Sequence, residues 1–94
     1  MRSNLQRAEI IAAGLVQGVG FRYFVFKKAS ALGLPGFVKN LYSGEVLTVV
    51  EGERAMIEEL FKEIRTGPSH VSVRKCTIEW HDYENEFKVF EVKY

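Results

Sequence analysis

Two stretches of the chain carry apolar residues at helical spacing, and this feature most limits the possible folds. The first face consists of Phe21, Phe24, Val25, Lys28, Ala29 and Leu32. The second consists of Met56, Ile57, Leu60, Phe61 and Ile64. Gly33 and the pair Gly67-Pro68 follow these faces and are typical of helix ends. The spacing therefore predicts two amphipathic helices.

Strand patterns fill the remaining segments. Runs rich in β-branched and aromatic residues predict strands at about residues 7–14, 37–42, 45–51, 71–80 and 87–94. Ser43-Gly44 predicts a tight hairpin, which places Asn40 on one strand face with Val38 and Tyr42. In each of the last two strands the apolar alternation slips by one residue, which predicts two β-bulges.

The order strand, helix, strand, strand, helix, strand, followed by a final short strand or extended tail, defines the predicted fold class. Two split βαβ units form a ferredoxin-like α/β sandwich (βαββαβ), an α+β fold with an antiparallel sheet and both helices on one face. The 94 residues fit one domain over positions 1–94. The polar residues 1–6 are expected to be loosely ordered.

Composition excludes several classes of protein. No apolar run approaches the roughly 20 residues of a membrane span, and the first residues lack the order of a signal peptide. Cys76 is the only cysteine, and two histidines are too few for an ordinary structural zinc site. We therefore expect a soluble protein of a reducing compartment, the cytoplasm, that has no membrane partner and no structural zinc site and is a monomer.

Charge is distributed unevenly along the chain. From Ile10 to Gly44 there are four cations and no carboxylate, whereas the other residues hold nine cations and twelve carboxylates. The four cations are Arg22, Lys27, Lys28 and Lys39. Because a nearby carboxylate would repel an anion, this third of the chain favours a small anionic ligand, with chance clustering as the alternative.

The sequence GLVQGVGFR at positions 14–22 joins the first predicted strand to the first predicted helix. The first amides of a helix lack intrahelical partners, and glycines at 14, 18 and 20 let the backbone approach an anion closely. Arg22 is unfavourable beside the positive end of a helix unless an anion lies between them. Dinucleotide and Walker patterns are absent. The stretch predicts an oxyanion site; a simple tight turn with a solvated arginine is the alternative.

These motifs make the chain resemble the acylphosphatases. One signature of that family is the 14–22 stretch, and the other is GFVKN at 36–40 followed by Gly44, Val46 and Gly52. The resemblance extends from about Glu9 to the last residue, and every motif position matches.

The resemblance implies hydrolysis of the carboxyl–phosphate bond of small acyl phosphates, such as acetyl phosphate, carbamoyl phosphate and 1,3-bisphosphoglycerate, without metal or cofactor. It implies that Arg22 binds the phosphoryl group and that Asn40 holds the attacking water. Inorganic phosphate is then product and competitive inhibitor. The implied phosphate-binding loop consists of Val16, Gln17, Gly18, Val19, Gly20 and Phe21, followed by Arg22.

The chemistry of these side chains agrees with such roles. A guanidinium can hold two phosphoryl oxygens at once, which an ammonium cannot reproduce. A carboxamide takes no proton at neutral pH but can orient a water by hydrogen bonds. A binding module that senses acyl phosphates without turnover remains the alternative function. RNA binding through the aromatic string GFRYFVF at 20–26 is disfavoured, because its apolar residues follow helical spacing.

Other conspicuous side chains have simpler interpretations. Trp80, Phe61 and Phe90 are expected in the core. His70 and His81 are expected at the surface and outside the loop. Cys76 is interpreted as a small core residue, not a nucleophile.

Overall fold

The computed structural model describes residues 4–16 and 18–94, without the side chain of residue 19. Its elements in chain order are β1 Leu5–Leu15, α1 Val19–Ala31, β2 Gly36–Asn40, β3 Val46–Glu53, α2 Arg54–Thr66, β4 Ser72–Asp82 and β5 Phe90–Val92. The first strand starts earlier than predicted, because Leu5 and Gln6 pair with β3. The expected loose order of residues 1–6 is therefore wrong at these two positions, and residues 1–3 lie outside the described chain.

The five strands form one sheet in the order β4-β1-β3-β2-β5. The first four strands of this order are antiparallel neighbours, which confirms the ferredoxin-like arrangement. The sheet is not antiparallel throughout, because β5 pairs parallel to β2. After β4 the chain crosses from one edge of the sheet to the other. It then forms β5, which runs opposite to β4 and therefore in the same direction as β2.

Both helices pack on one face of this sheet. The core residues of β1, α1 and α2 are at most 1% exposed and include Ala8, Ile10, Ala12, Phe21, Val25, Ala29, Ile57, Leu60 and Ile64. Lys28, the polar member of the first helical face, forms an ion pair with Glu63 of α2 (Nζ to Oε1, 3.5 Å). Met56 is exposed, although the spacing placed it on the apolar face. Neither described helix is long and apolar enough to cross a membrane.

The connection between β2 and β3 is longer than the predicted hairpin. Residues 41–45 form it, closed by hydrogen bonds from the Leu41 N–H to the Glu45 carbonyl (2.8 Å) and from the Gly44 N–H to the Leu41 carbonyl (3.0 Å). Val38 is buried in the core, but Tyr42 lies in this connection and is fully exposed. Asn40 is consequently the last residue of β2, and it does not share a strand face with Tyr42.

One of the two predicted bulges is confirmed. Ala13 pairs with Lys75 and Gly14 pairs with Val73, so Arg74 is an extra residue of β4. Gly14 has a φ of 130°, and a Cβ there would lie 2.3 Å from the carbonyl oxygen of Ser72. The close approach of β4 therefore requires this glycine. No bulge forms in the last predicted strand, since β5 begins only at Phe90.

Residues 83–89 cross the sheet face opposite to the helices, and a buried carboxylate holds them there. Glu51 of β3 is 1% exposed and accepts hydrogen bonds from the N–H groups of Glu84 (2.6 Å) and Glu86 (2.7 Å). Arg7 contributes an ion pair with Glu51 (3.6 Å). Burial disfavours the charged form of Glu51, but these hydrogen bonds and Arg7 outweigh that effect and lower its pKa below the usual value. Further along the segment, the Phe87 ring packs edge-on against Phe37 of β2.

Candidate functional site

The loop between β1 and α1 is anchored by buried apolar side chains at both ends. Val16 is fully buried, and Phe21 in the first turn of α1 is nearly so. Gly18 precedes the helix with a φ of 110°, and no side chain of the described residues caps the helix. Because α1 begins at Val19, the amides of its first turn have no acceptor within the helix. These amides are therefore candidate donors to a ligand. The predicted loop residue Gln17 and the Val19 side chain lie outside the described structure.

Arg22 points its guanidinium toward the end of β5. The side chain is 7% exposed, and its Nη1 donates to the carbonyl of Lys93 at 2.8 Å. The ring of Tyr94 lies 4.8 Å from the guanidinium carbon. The Lys93 N–H donates to the Val38 carbonyl of β2 at 2.8 Å. The main-chain N–H and carbonyl of Lys93 thus connect the arginine of α1 to the strand that ends at Asn40.

Asn40 borders an open cavity of about 400 Å³. Its wall is formed by Lys39, Asn40, Leu41, Tyr42 and Tyr94. Since Tyr94 also covers the Arg22 guanidinium, the structure places Arg22 and Asn40 in one region of the surface.

Arg22 and Asn40 share a further property. Within the described part of the chain, Arg22 Nε and Asn40 Oδ1 are the two buried side-chain polar atoms without a hydrogen-bond partner. One is a donor and the other is an acceptor. A buried polar group without a partner costs about 1–3 kcal/mol, so a pair of them in one region indicates a site for a polar ligand.

Three contacts of this region carried no usable sequence signal. The Lys93 carbonyl and the Tyr94 ring contact Arg22 from about 70 positions away in the sequence. The carbonyl is also a main-chain group, which every residue type has. His70 is exposed as expected, but its Nε2 lies 3.7 Å from the position of a Cβ on Gly20. It is thus nearer to the loop than the sequence indicated, because the turn before β4 packs beside the start of α1.

Candidate metal ligands lie elsewhere in the described chain. Glu9, Glu79 and His81 place one ligand atom each within 4.8 Å of one another on β1 and β4. His81 is exposed as predicted, and its Nε2 lies 3.0 Å from Glu79. None of these side chains belongs to the loop or the cavity beside Asn40.

The cysteine and the large aromatic residues agree with their predicted packing to different degrees. Phe90 is buried, whereas Phe61, Trp80 and Cys76 are partly buried against the core. Burial raises the pKa of the Cys76 thiol to about 11, against a smaller opposing effect of Arg65. This shift disfavours the thiolate that a nucleophile needs.

The fold and the site together define a class of protein. A ferredoxin-like sandwich in which amides without an intrahelical acceptor lie at a glycine-rich strand-to-helix loop, next to a buried arginine, is suited to hold a small oxyanion. Asn40, whose buried side-chain acceptor has no partner among the described residues, lies in the same region.

Comparison with known proteins identifies the family within this class. The acylphosphatase family model matches residues 8–92. The acylphosphatase of Moorella thermoacetica is 42% identical over 88% of this chain and 89% of its own length. The crystal structure of acylphosphatase from Bacillus subtilis superposes with a TM-score of 0.89 at 30% identity, covering 95% of this chain and 99% of that one. An acylphosphatase structure from Coxiella burnetii gives 0.88 at 38% identity, covering 96% and 94%. The chain belongs to the acylphosphatase family, as the sequence motifs predicted.

Proposed function

We propose that this protein hydrolyses acyl phosphates to a carboxylate and inorganic phosphate, with Arg22 and the 16–21 loop amides binding the phosphoryl group and Asn40 orienting the water. The observation that carries the proposal is the unpaired donor and acceptor on Arg22 and Asn40 in one region of the surface. Membership of the acylphosphatase family supports the same reaction.

The contacts of Arg22 favour one edge of its guanidinium as the phosphoryl-binding edge. Nη1 is engaged by the Lys93 carbonyl, whereas Nε has no partner among the described residues. The N–H groups of Nε and Nη2 are parallel, so this edge can hold two phosphoryl oxygens at once. The loop amides at Val16, Gln17, Gly18, Val19, Gly20 and Phe21 then stabilise the remaining negative charge.

Asn40 acts on the nucleophile. Its Oδ1 accepts a hydrogen bond from a water, which is thereby held for in-line attack on phosphorus. As the new P–O bond forms, the bond between phosphorus and the acyl oxygen breaks and its electron pair leaves with the carboxylate. The water proton passes to a phosphoryl oxygen, since a carboxylate is a good leaving group and a strong general base is not needed.

Product inhibition, oligomeric state and cellular compartment also belong to the proposed function. Inorganic phosphate, the product, competes with the substrate for the same donors. The protein acts as a monomer in the cytoplasm. The reducing compartment agrees with its single, half-buried cysteine, which cannot form a disulfide within the chain.

The experiment that tests the function is phosphate release from benzoyl phosphate in the presence of EDTA, with inorganic phosphate as a competitor. We expect turnover that EDTA does not change and a KM that rises with phosphate. Phosphate binding without turnover at micromolar protein would instead identify a sensing module. Activity that requires an added divalent metal would refute the metal-free mechanism.

A further inference from the structure

Tyr94 combines almost complete exposure with a close contact to a buried cation. Its side chain is 92% exposed, yet the ring lies 4.8 Å from the guanidinium carbon of Arg22, which is only 7% exposed. So exposed a ring contributes little to the hydrophobic core. The contact with Arg22 is therefore the interaction by which Tyr94 can matter to this protein.

Lys93, the residue before Tyr94, holds the Arg22 guanidinium through a main-chain hydrogen bond. The Lys93 N–H donates to the Val38 carbonyl, and the Lys93 carbonyl accepts from Arg22, both at 2.8 Å. The Lys93 ammonium turns away and lies 4.3 Å from the centre of the Phe37 ring. The carbonyl thus holds one nitrogen of Arg22, and the ring of Tyr94 restricts rotation of the guanidinium about that hydrogen bond.

We infer that Tyr94 is a positioning residue: it holds the guanidinium of Arg22 so that the Nε and Nη2 edge faces the phosphoryl group. This inference rests on the proposed function of Arg22 and adds a residue outside both sequence signatures. An arginine fixed in advance loses less conformational freedom when the anion binds, so affinity rises without a new contact to the ligand.

The test compares Tyr94→Leu with Tyr94→Phe and with the matched control Tyr42→Leu. Tyr42 is also exposed and lines the same cavity, but its ring lies over no cation among the described contacts. Phenylalanine keeps the aromatic face, whereas leucine removes it. Tyr94→Phe and Tyr42→Leu replace exposed side chains without removing a cation contact, so both should keep the melting temperature of the wild type. Tyr94→Leu should lower it by no more than the loss of one exposed cation–π contact.

Two measurements report on the arginine. Calorimetry with inorganic phosphate gives the affinity, and the ¹⁵N heteronuclear NOE of the Arg22 Nε–H group reports its order without any ligand. For Tyr94→Leu we expect about fivefold weaker phosphate binding, the size of a cation–π contact, together with a lower NOE. Tyr94→Phe and Tyr42→Leu should stay within about twofold of the wild type in affinity and keep its NOE.

The possible results separate the two proposals. An unchanged NOE and affinity in Tyr94→Leu would overturn the positioning role, and so would an equal loss in Tyr42→Leu or Tyr94→Phe. The NOE tests the positioning of Arg22 whether or not the wild type hydrolyses acyl phosphates. A wild type without turnover would contradict only the proposed hydrolysis.

Discussion

Replacing Glu51 by glutamine should uncouple residues 83–89 from the sheet. The two oxygens of Glu51 accept from the N–H groups of Glu84 and Glu86, at 2.6 and 2.7 Å, and the side chain is 1% exposed. Glutamine has the same shape but only one side-chain oxygen. Its NH₂ group therefore faces one of the two part-buried N–H donors and leaves it without an acceptor.

The size of the effect follows from these contacts. A hydrogen bond to a charged group contributes about 1.5–3 kcal/mol, and a buried donor left unpaired costs about 1–3 kcal/mol. We expect Glu51→Gln to lower the free energy of unfolding by about 3–5 kcal/mol at pH 7. The control is Glu86→Gln, which loses only the half-exposed pair between Glu86 and Arg7 (2.7 Å) and should cost less than about 1 kcal/mol.

The effect should depend on pH in a defined direction. The pKa of Glu51 is lowered in the folded protein, where the backbone hydrogen bonds overcome the opposing effect of burial. Its contribution is therefore complete above the unfolded pKa and is lost as pH falls through the folded pKa. The difference between wild type and Glu51→Gln should be constant above about pH 5 and shrink toward pH 3.

Urea unfolding followed by the fluorescence of the single tryptophan, Trp80, measures this difference at each pH. A loss below about 1 kcal/mol at pH 7, or a difference that stays the same down to pH 3, would refute the role of the carboxylate.

Three further predictions concern the site and the thiol. Arg22→Lys should lose at least about 10²-fold in kcat/KM for benzoyl phosphate, because an ammonium lacks parallel donors; near wild-type turnover would exclude two-point binding. Asn40→Ala should lower kcat by about 10²-fold and leave the inhibition constant of phosphate within about threefold, and equal weakening of both would assign Asn40 to the phosphate site instead. Cys76 should react with a disulfide reagent at pH 8 about 10²-fold more slowly in the native protein than in urea, because burial raises the pKa of its thiol to about 11. Equal rates would contradict that shift.

Local patterns were sufficient for the parts of the fold that depend on local physics. The helical spacing that begins at Phe21 predicted α1, because the residues that repeat along one helix face are those that reach the core. The slip in alternation before Cys76 predicted the bulge at Arg74, since an extra residue shifts every later side chain to the other face.

Features that depend on contacts across the chain could not be predicted in the same way. In sequence Glu51 is only the end of an apolar strand run, and nothing near it shows that distant amides will surround it. The predicted strand at 87–94 shrank to β5 for the same reason, because Phe87 packs on Phe37 across the outer face instead of joining the ladder. At the site, Arg22 and Asn40 were identifiable from their motifs, but the main-chain link through Lys93 between Arg22 and Val38 was not.

The Arg22 guanidinium donates its hydrogen bond to the main-chain carbonyl of Lys93, so exchanging the Lys93 side chain leaves the acceptor in place. An alanine scan would pass over this contact entirely. Semisynthesis that replaces the amide between Lys93 and Tyr94 by an ester, whose carbonyl is a poorer acceptor, is the chemical change that would expose it.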